Sequence, residues 1–229
     1  MPEYQNVEHV LAAFEERRHE LFIFMKGIEG WFLSHPKLTC GPTPAIHSVK
    51  SRIKDPSHLK EKIIRKQVGG NPITADNLFT RLTDLAGVRI LHLYQEQAQA
   101  IHTAIIEKVE RQRDWVFNEP PKAYTWDPEA QNFFTNMGLD VNVKDSFYTS
   151  VHYLVRPRAD SPHCCEIQVR TLFEEIWGEV DHSLNYPNPS DNIACREQLR
   201  VLTKVVGAGS RLVDAIFRTA ANGATRVEN

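Results

Sequence analysis

The sequence predicts an α+β fold, a mixed β-sheet flanked by helices with a long helix at each end of the chain. Apolar residues recur at helical spacing over residues 5–34 and again over roughly 192–220. Between them lie runs rich in β-forming residues at 87–94, 148–156 and 164–170. Helices first, strands in the middle and helices last is the order of an α+β domain, not of an alternating one.

Val7, Val10, Leu11, Phe14, Leu21, Met25, Ile28 and Phe32 fall on one stripe, so residues 5–34 read as an amphipathic helix that stops near Pro36. Residues 35–48 are punctuated by Pro and Gly and read as a loop. Asp55 can cap the next helix with Pro56 in its first position, and Gly69-Gly70 ends it after Val68. The strand at 87–94 leads into a helix over 95–112, with Ala98, Ile101, Ile105 and Val109 on one face. Residues 115–145 carry Pro120-Pro121 and no clear period, and read as short strands and a loop. After the two strands at 148–156 and 164–170, a helix runs from 171 to about 185, where Pro187 and Pro189 break it. Ser190 or Asp191 caps the last helix, whose apolar face includes Leu199, Leu202, Val206, Val213 and Phe217. The expected organisation is a helix and loop over 1–50 packing on the core, a core over 51–186, and a C-terminal helix over 187–229.

The 229 residues are 41% hydrophobic and 24% charged, which excludes a disordered, collagenous or coiled-coil chain. With 27 Lys and Arg against 29 Asp and Glu, the chain is no general polyanion binder; DNA is excluded as a partner, and any phosphate recognition must be local. Cys40, Cys164, Cys165 and Cys195 form no metal-ligand spacing, and reduced thiols are expected. The start, MPEYQNVEHV, lacks the features of a signal peptide, and no apolar run approaches 18 residues. A cytoplasmic protein without membrane contact is the expectation.

Four segments carry candidate chemistry. In residues 51–66, Lys62, Arg65 and Lys66 share one helix face, and Arg52 and Lys54 alternate in the approach to it. The bland reading is a solvated basic face; the functional one is a cradle for a polyphosphate. Asp84 precedes Gly87-Val88-Arg89, placing an acid at a strand mouth beside a cation, which suits a metal–phosphate site as well as a simple turn. Along 166–171, alternation sets Glu166, Gln168 and Arg170 on one face and Ile167 and Val169 on the other. Parity likewise joins Tyr148, Ser150 and His152, either as half-buried packing or as a base-stacking platform.

The order of these segments is more specific than any one of them. S-R-x-K with a basic helix, D-x-x-G-x-R, Tyr-x-Ser-x-His, and E-I-Q-V-R-T followed by W-x-x-x-x-H-S-L-N-Y resembles the RelA/SpoT alarmone synthetase domain, from about Ser51 to Tyr186. The resemblance implies a nucleotidyltransferase-like fold and transfer of pyrophosphate from ATP to the 3′ hydroxyl of GTP or GDP. It implies donor contacts at Arg52, Lys54, Lys62, Arg65 and Arg89, with Arg52 and Lys54 also counted in the catalytic set. Asp84 and Glu166 match the family's acidic pair and imply Mg2+ as cofactor. Tyr148 matches the aromatic that stacks on the acceptor base, with His152, Gln168 and Lys144 beside it. Where the family has Gly-Tyr-Arg-Ser, this chain has Phe147-Tyr148-Thr149-Ser150, which removes a flexible residue and a cation from the acceptor side. A toxin of the same fold using adenosine nucleotides or the tRNA 3′ end, and an inactive nucleotide-binding module, are therefore kept as alternatives; a homo-oligomer is left open.

Overall fold

The computed structural model describes residues 2–70, 72–144, 146–185 and 191–224. Helix α1 (Pro2–Ser34) and the short α2 (Pro36–Thr39) precede strand β1 (Ser48–Ile53) and helix α3 (Pro56–Val68). A turn of helix, α4 (Leu78–Arg81), leads to β2 (Ala86–His92) and α5 (Gln97–Ile106), which continues as a π turn over Glu107–Arg111. Then come β3 (Val116–Phe117), β4 (Lys122–Thr125), α6 (Pro128–Asn136), β5 (Asp140–Val143), β6 (Ser150–Arg156), β7 (Cys165–Thr171), α7 (Leu172–Asn185) and α8 (Ile193–Ala224).

The seven strands make one mixed sheet in the order β1-β2-β7-β6-β4-β5, with β3 also paired to β6. β2/β7 and β4/β5 are parallel, and the other pairs are antiparallel. Register sorts the side chains. Lys50 pairs with Arg89, Arg52 with Gly87, Gly87 with Glu166, Arg89 with Gln168, and Gln168 with His152. Because paired residues point to the same side and alternate residues to opposite sides, one face of the sheet is polar from β1 to β6. The opposite face presents Val88, Ile90, Ile167, Val169, Val151 and Tyr153, all buried.

Helix α1 covers that apolar face. Val7, Val10, Phe14, Leu21, Met25, Ile28 and Phe32 are at most 2% exposed, as their spacing predicts. Leu59 and Ile63 of α3 and Ile101 and Ile105 of α5 complete the core. The Asp55 carboxylate accepts from the Ser57 amide at 2.8 Å, and Pro56 opens α3 as expected. Helix α7 instead lies toward the polar face, packed on β2, β7 and α8.

The structure corrects several expectations. The loop over 35–48 contains α2, and Ser48 already belongs to β1. Residues 115–145 hold three short strands, but also helix α6, which Asp127 caps by accepting from the Glu129 amide. Strand β6 starts at Ser150, so Tyr148 precedes the strand; β2 ends at His92. Asp191 is not the cap of α8, whose first turn is held by Asn192 accepting from the Cys195 amide; Pro187, Pro189 and Ser190 lie outside the described residues. The vicinal thiols are buried small residues, and burial pushes Cys164 up to about 12. No helix among the described residues is long and apolar enough to cross a membrane.

Candidate active site

A cleft opens between the polar sheet face and α7. It is lined by Arg52, Asp84, Gly87, Arg89, Glu166, Gln168, Arg170 and Tyr148, with Gly178, Asp181, His182 and Asn185 of α7 as the opposite wall. The accessible space is about 580 Å³, a size that accommodates nucleotide groups. The floor is at Gly87, whose missing side chain leaves space between Arg52 and Glu166 on the neighbouring strands.

Asp84 sits at the mouth of β2. Lys54 Nζ donates to it at 2.8 Å, and Lys62 Nζ donates to both of its oxygens at 2.8 Å. Burial alone would raise the Asp84 carboxyl; the two ammonium groups outweigh it and hold the group at about 2. Lys54 in turn is lowered by burial, against the pull of Asp84. Arg52 is exposed over the cleft, whereas Arg65 is exposed on the next turn of α3, outside the cleft lining. Of the four basic residues that the resemblance assigns to the donor, Arg52 lines the cleft and Lys54 and Lys62 reach it through Asp84, whereas Arg65 stands apart.

Glu166 is the second acid. His152 Nδ1 lies 2.9 Å from its Oε1, and Gln168 Nε2 donates to its Oε2 at 2.7 Å. Burial raises its carboxyl, but the His152 contact and the Gln168 bond leave it lowered overall. Since a carboxylate only accepts, His152 carries a proton on Nδ1 toward Glu166, and its Nε2 is hydrogen-bonded to the Tyr148 hydroxyl at 2.9 Å. Tyr148, His152 and Glu166 therefore form one chain of hydrogen bonds, although Tyr148 is off the strand. Lys144 reaches this group indirectly: its Nζ lies 4.8 Å from the Tyr124 ring centroid, and Tyr124 meets the His152 ring edge-on at 4.8 Å.

Among the described residues no group of three or more His, Cys, Asp or Glu side chains is arranged to hold a metal ion. What the cleft offers is two ionised carboxylates from adjacent parts of the sheet. That donor set fits Mg2+, which binds through one or two carboxylates and takes its other oxygens from phosphates and water.

Sequence reasoning expected the helix after Thr171 to cover one face of the strand and included its W-x-x-x-x-H-S-L-N-Y run in the motif, but gave none of its residues a place in the site. Gly178, Asp181, His182 and Asn185 recur at helical spacing, a polar stripe on a helix that also buries Trp177, and that stripe was the available signal. It missed Glu175 as well, which binds Lys50 and Arg89. Arg89 Nη1 lies 2.8 Å from Glu175 and 2.9 Å from Glu179, so this candidate phosphate contact is held by carboxylates of α7.

Residue 147 departs from the ordinary backbone. Phe147 adopts φ 61°, a left-handed conformation that favours glycine. Its ring meets Trp126 edge-on at 5.5 Å and lies 5.8 Å from the Arg200 guanidinium of α8. Packing thus imposes on Phe147 the conformation that the glycine of the resembling motif adopts readily.

The sequence profile described as "Region found in RelA / SpoT proteins" matches residues 51–191. A curated relative, GTP pyrophosphokinase YjbM of Bacillus subtilis strain 168, is 26% identical over 210 residues, spanning 90% of this chain and 84% of its own. Small alarmone synthetase 1 of Bacillus subtilis bound to its product pppGpp superposes with a TM-score of 0.62 at 22% identity, covering 93% of this chain and 97% of that one. The same synthetase bound to AMPCPP gives 0.59 at 20%, covering 94% and 97%. The superpositions establish a shared fold, and the profile spans the segment that supplies Asp84, Glu166, α3 and Tyr148: the chain belongs to the RelA/SpoT family.

Proposed function

We propose that this protein is an ATP-dependent pyrophosphokinase that moves the β,γ-pyrophosphate of ATP to the 3′ hydroxyl of GTP or GDP, making a guanosine alarmone and AMP. The observation that carries this is the placement of two ionised carboxylates, Asp84 and Glu166, in one cleft of a RelA/SpoT-family chain, with ammonium groups behind the first and an imidazole behind the second. The names of the relatives, one a GTP pyrophosphokinase and another seen with pppGpp and with AMPCPP, support a guanosine acceptor and an adenosine donor.

Asp84 and Glu166 would hold Mg2+ in this reading, and the ion would supply charge neutralisation to the pyrophosphoryl group. Arg52, Lys54, Lys62 and Arg89 take the donor side, where negative charge accumulates during transfer, while the expected donor contact at Arg65 is dropped because it lies outside the cleft. Tyr148 stacks on the acceptor base, with His152, Gln168 and Lys144 near its sugar and phosphates. The acceptor 3′ oxygen forms a bond to the β-phosphorus, the bond from that phosphorus to the α,β-bridging oxygen breaks, and AMP leaves with the electron pair. Glu166 takes the hydroxyl proton late in the step, when the forming bond has made it acidic; its lowered basicity suits no earlier transfer.

The test is incubation with γ-labelled ATP and, separately, GTP, GDP, adenosine nucleotides and deacylated tRNA, followed by product separation. Label in pppGpp or ppGpp with matching release of AMP supports the proposal. Label only in adenosine or tRNA products points to the toxin alternative, and nucleotide binding without transfer points to an inactive module.

A further inference from the structure

The polar cleft is organised around a carboxylate that does not reach the reacting atoms. Glu175 of α7 is 5% exposed. Its Oε1 accepts from Lys50 Nζ at 2.9 Å and from Arg89 Nη1 at 2.8 Å, and its Oε2 is ion-paired with Arg170. These cations come from three strands, β1, β2 and β7, so one side chain ties three neighbouring strands to α7. Burial would raise the Glu175 carboxyl, but Lys50, Arg170 and Arg89 hold it at about 2, so it is charged at any pH at which the protein works.

Arg170 extends the tie to the other side of the cleft. It is 4% exposed, and its guanidinium lies 5.9 Å from the Tyr148 ring centroid. Its Nε has no partner among the described residues, which leaves the pair with Glu175 as its main anchor. Gly178, one turn beyond Glu174, makes room for it: a Cβ there would stand 2.8 Å from Arg170 Nη1. Glu175 thus touches Arg89 directly and Tyr148 through Arg170.

We propose that Glu175 is the positioning residue that sets both nucleotide subsites at once, fixing Arg89 for the donor phosphates and, through Arg170, the stacking face of Tyr148 for the acceptor base. This rests on the pyrophosphokinase reading for the names of the two ligands. With the Glu175 charge removed, Lys50, Arg89 and Arg170 repel one another and Arg170 is left buried without a counter-charge, so both subsites lose their geometry together.

The test separates the two arms by substitution and reads binding as well as turnover. Dissociation constants for AMPCPP and for GTP are measured alongside steady-state kinetics and melting curves. Glu175→Gln should weaken both nucleotides by about tenfold or more, and Glu175→Asp, which retains the charge, should restore most of the loss. Gly178→Ala keeps every charge and replaces a helical glycine, so the helix itself is not weakened, but its methyl displaces Arg170. It should weaken GTP about tenfold and leave AMPCPP within twofold. A folded Glu175→Gln protein with wild-type affinity for both nucleotides overturns the proposal, as does Gly178→Ala weakening both equally. If Glu175→Gln does not fold, Gly178→Ala and Glu175→Asp still decide. Because AMPCPP cannot transfer its pyrophosphate, the binding arms stand even if no alarmone is made; failure of transfer in the wild-type chain counts against the pyrophosphokinase reading alone.

Discussion

The Tyr148 hydroxyl is hydrogen-bonded to Nε2 of His152 at 2.9 Å, and the opposite nitrogen of that ring lies 2.9 Å from Glu166. An aromatic proposed to stack on a base is thereby joined by hydrogen bonds to the acid proposed to receive the proton. Tyr148 then has two separable roles. Tyr148→Ala removes both and should raise the acceptor KM by roughly 10- to 100-fold, since base stacking is worth about 1–3 kcal/mol. Tyr148→Phe keeps the ring, so the acceptor KM should stay within about threefold while kcat falls several-fold. Steady-state kinetics with each nucleotide varied in turn separates these outcomes, and the ATP KM should change little in either variant.

Asp84 carries a prediction about metal and one about pH. Asp84→Asn should reduce transfer by about 1,000-fold, and titrating Mg2+ should not restore it; Glu166→Gln should behave similarly. A carboxyl lowered in the folded state contributes stability above its unfolded value of about 4, and that contribution disappears as pH falls toward 2. Acid unfolding followed by circular dichroism should therefore be shallower in Asp84→Asn between pH 4 and 2 than in the wild type.

The basic residues should separate donor binding from stability. Alanine at Arg52 should raise the ATP KM with only a small change in melting temperature, because exposed charges contribute little. Lys54→Ala and Lys62→Ala should raise the ATP KM and also lower the melting temperature, since these side chains are 12% and 22% exposed and both are bonded to Asp84. Differential scanning calorimetry beside the kinetics checks both statements.

His92 is buried, and its Nδ1 lies 2.9 Å from the Tyr94 carbonyl oxygen, to which it donates. Burial lowers its imidazole to about 4, and the bond to the carbonyl offsets only part of that. The unfolded chain binds a proton here near pH 6.5 and the folded chain does not, so stability falls as pH drops from 6.5 toward 4. Between pH 7 and 5 this one group should remove about 2 kcal/mol. An imidazole NMR signal from His92 that titrates near 6.5 in the folded protein would refute the claim.

At residue 147 glycine should be better tolerated than alanine. Phe147→Gly loses the contacts with Trp126 and Arg200 but relieves the left-handed backbone, whereas Phe147→Ala loses the contacts and keeps the strain. The glycine variant should be the more stable by about 1 kcal/mol in urea unfolding. Equal stability of the two would mean that the backbone at 147 is not held left-handed.

The features legible in the sequence were those set by local chemistry. Helix α1 declared itself by a stripe from Val7 to Phe32, α3 by Asp55-Pro56, and β7 by the alternation of Glu166, Gln168 and Arg170 against Ile167 and Val169. Helix α6 carries the same signature in Asp127-Pro128, but it is only nine residues long and its adjacent Phe133 and Phe134 blur the period. Asp84, Glu166, Arg52, Lys54 and Lys62 were singled out because the motif holds them in sequence, and the fold brings them to one cleft. Glu175 was not, because a glutamate on an amphipathic helix looks solvated until the fold brings three strands' cations against it. Tyr148 was placed on the right partners for the wrong reason: contact comes from the turn before β6, not from strand parity.

Strand β1 is at the edge of the sheet, and its register with β2 is bracketed by the His47 amide donating to the Leu91 carbonyl and the Lys54 amide donating to the Leu85 carbonyl. Between these two bonds the chain has no slack. Inserting or deleting a single residue there would reverse the parity of Lys50 and Arg52, turning two cations toward α1 and Val49 and Ile53 toward the cleft. Length variation among descendants of this gene should therefore collect in the stretches before His47 and after Gly70, and skip the six positions between the brackets in steps of one, even where the amino acids themselves are free to drift.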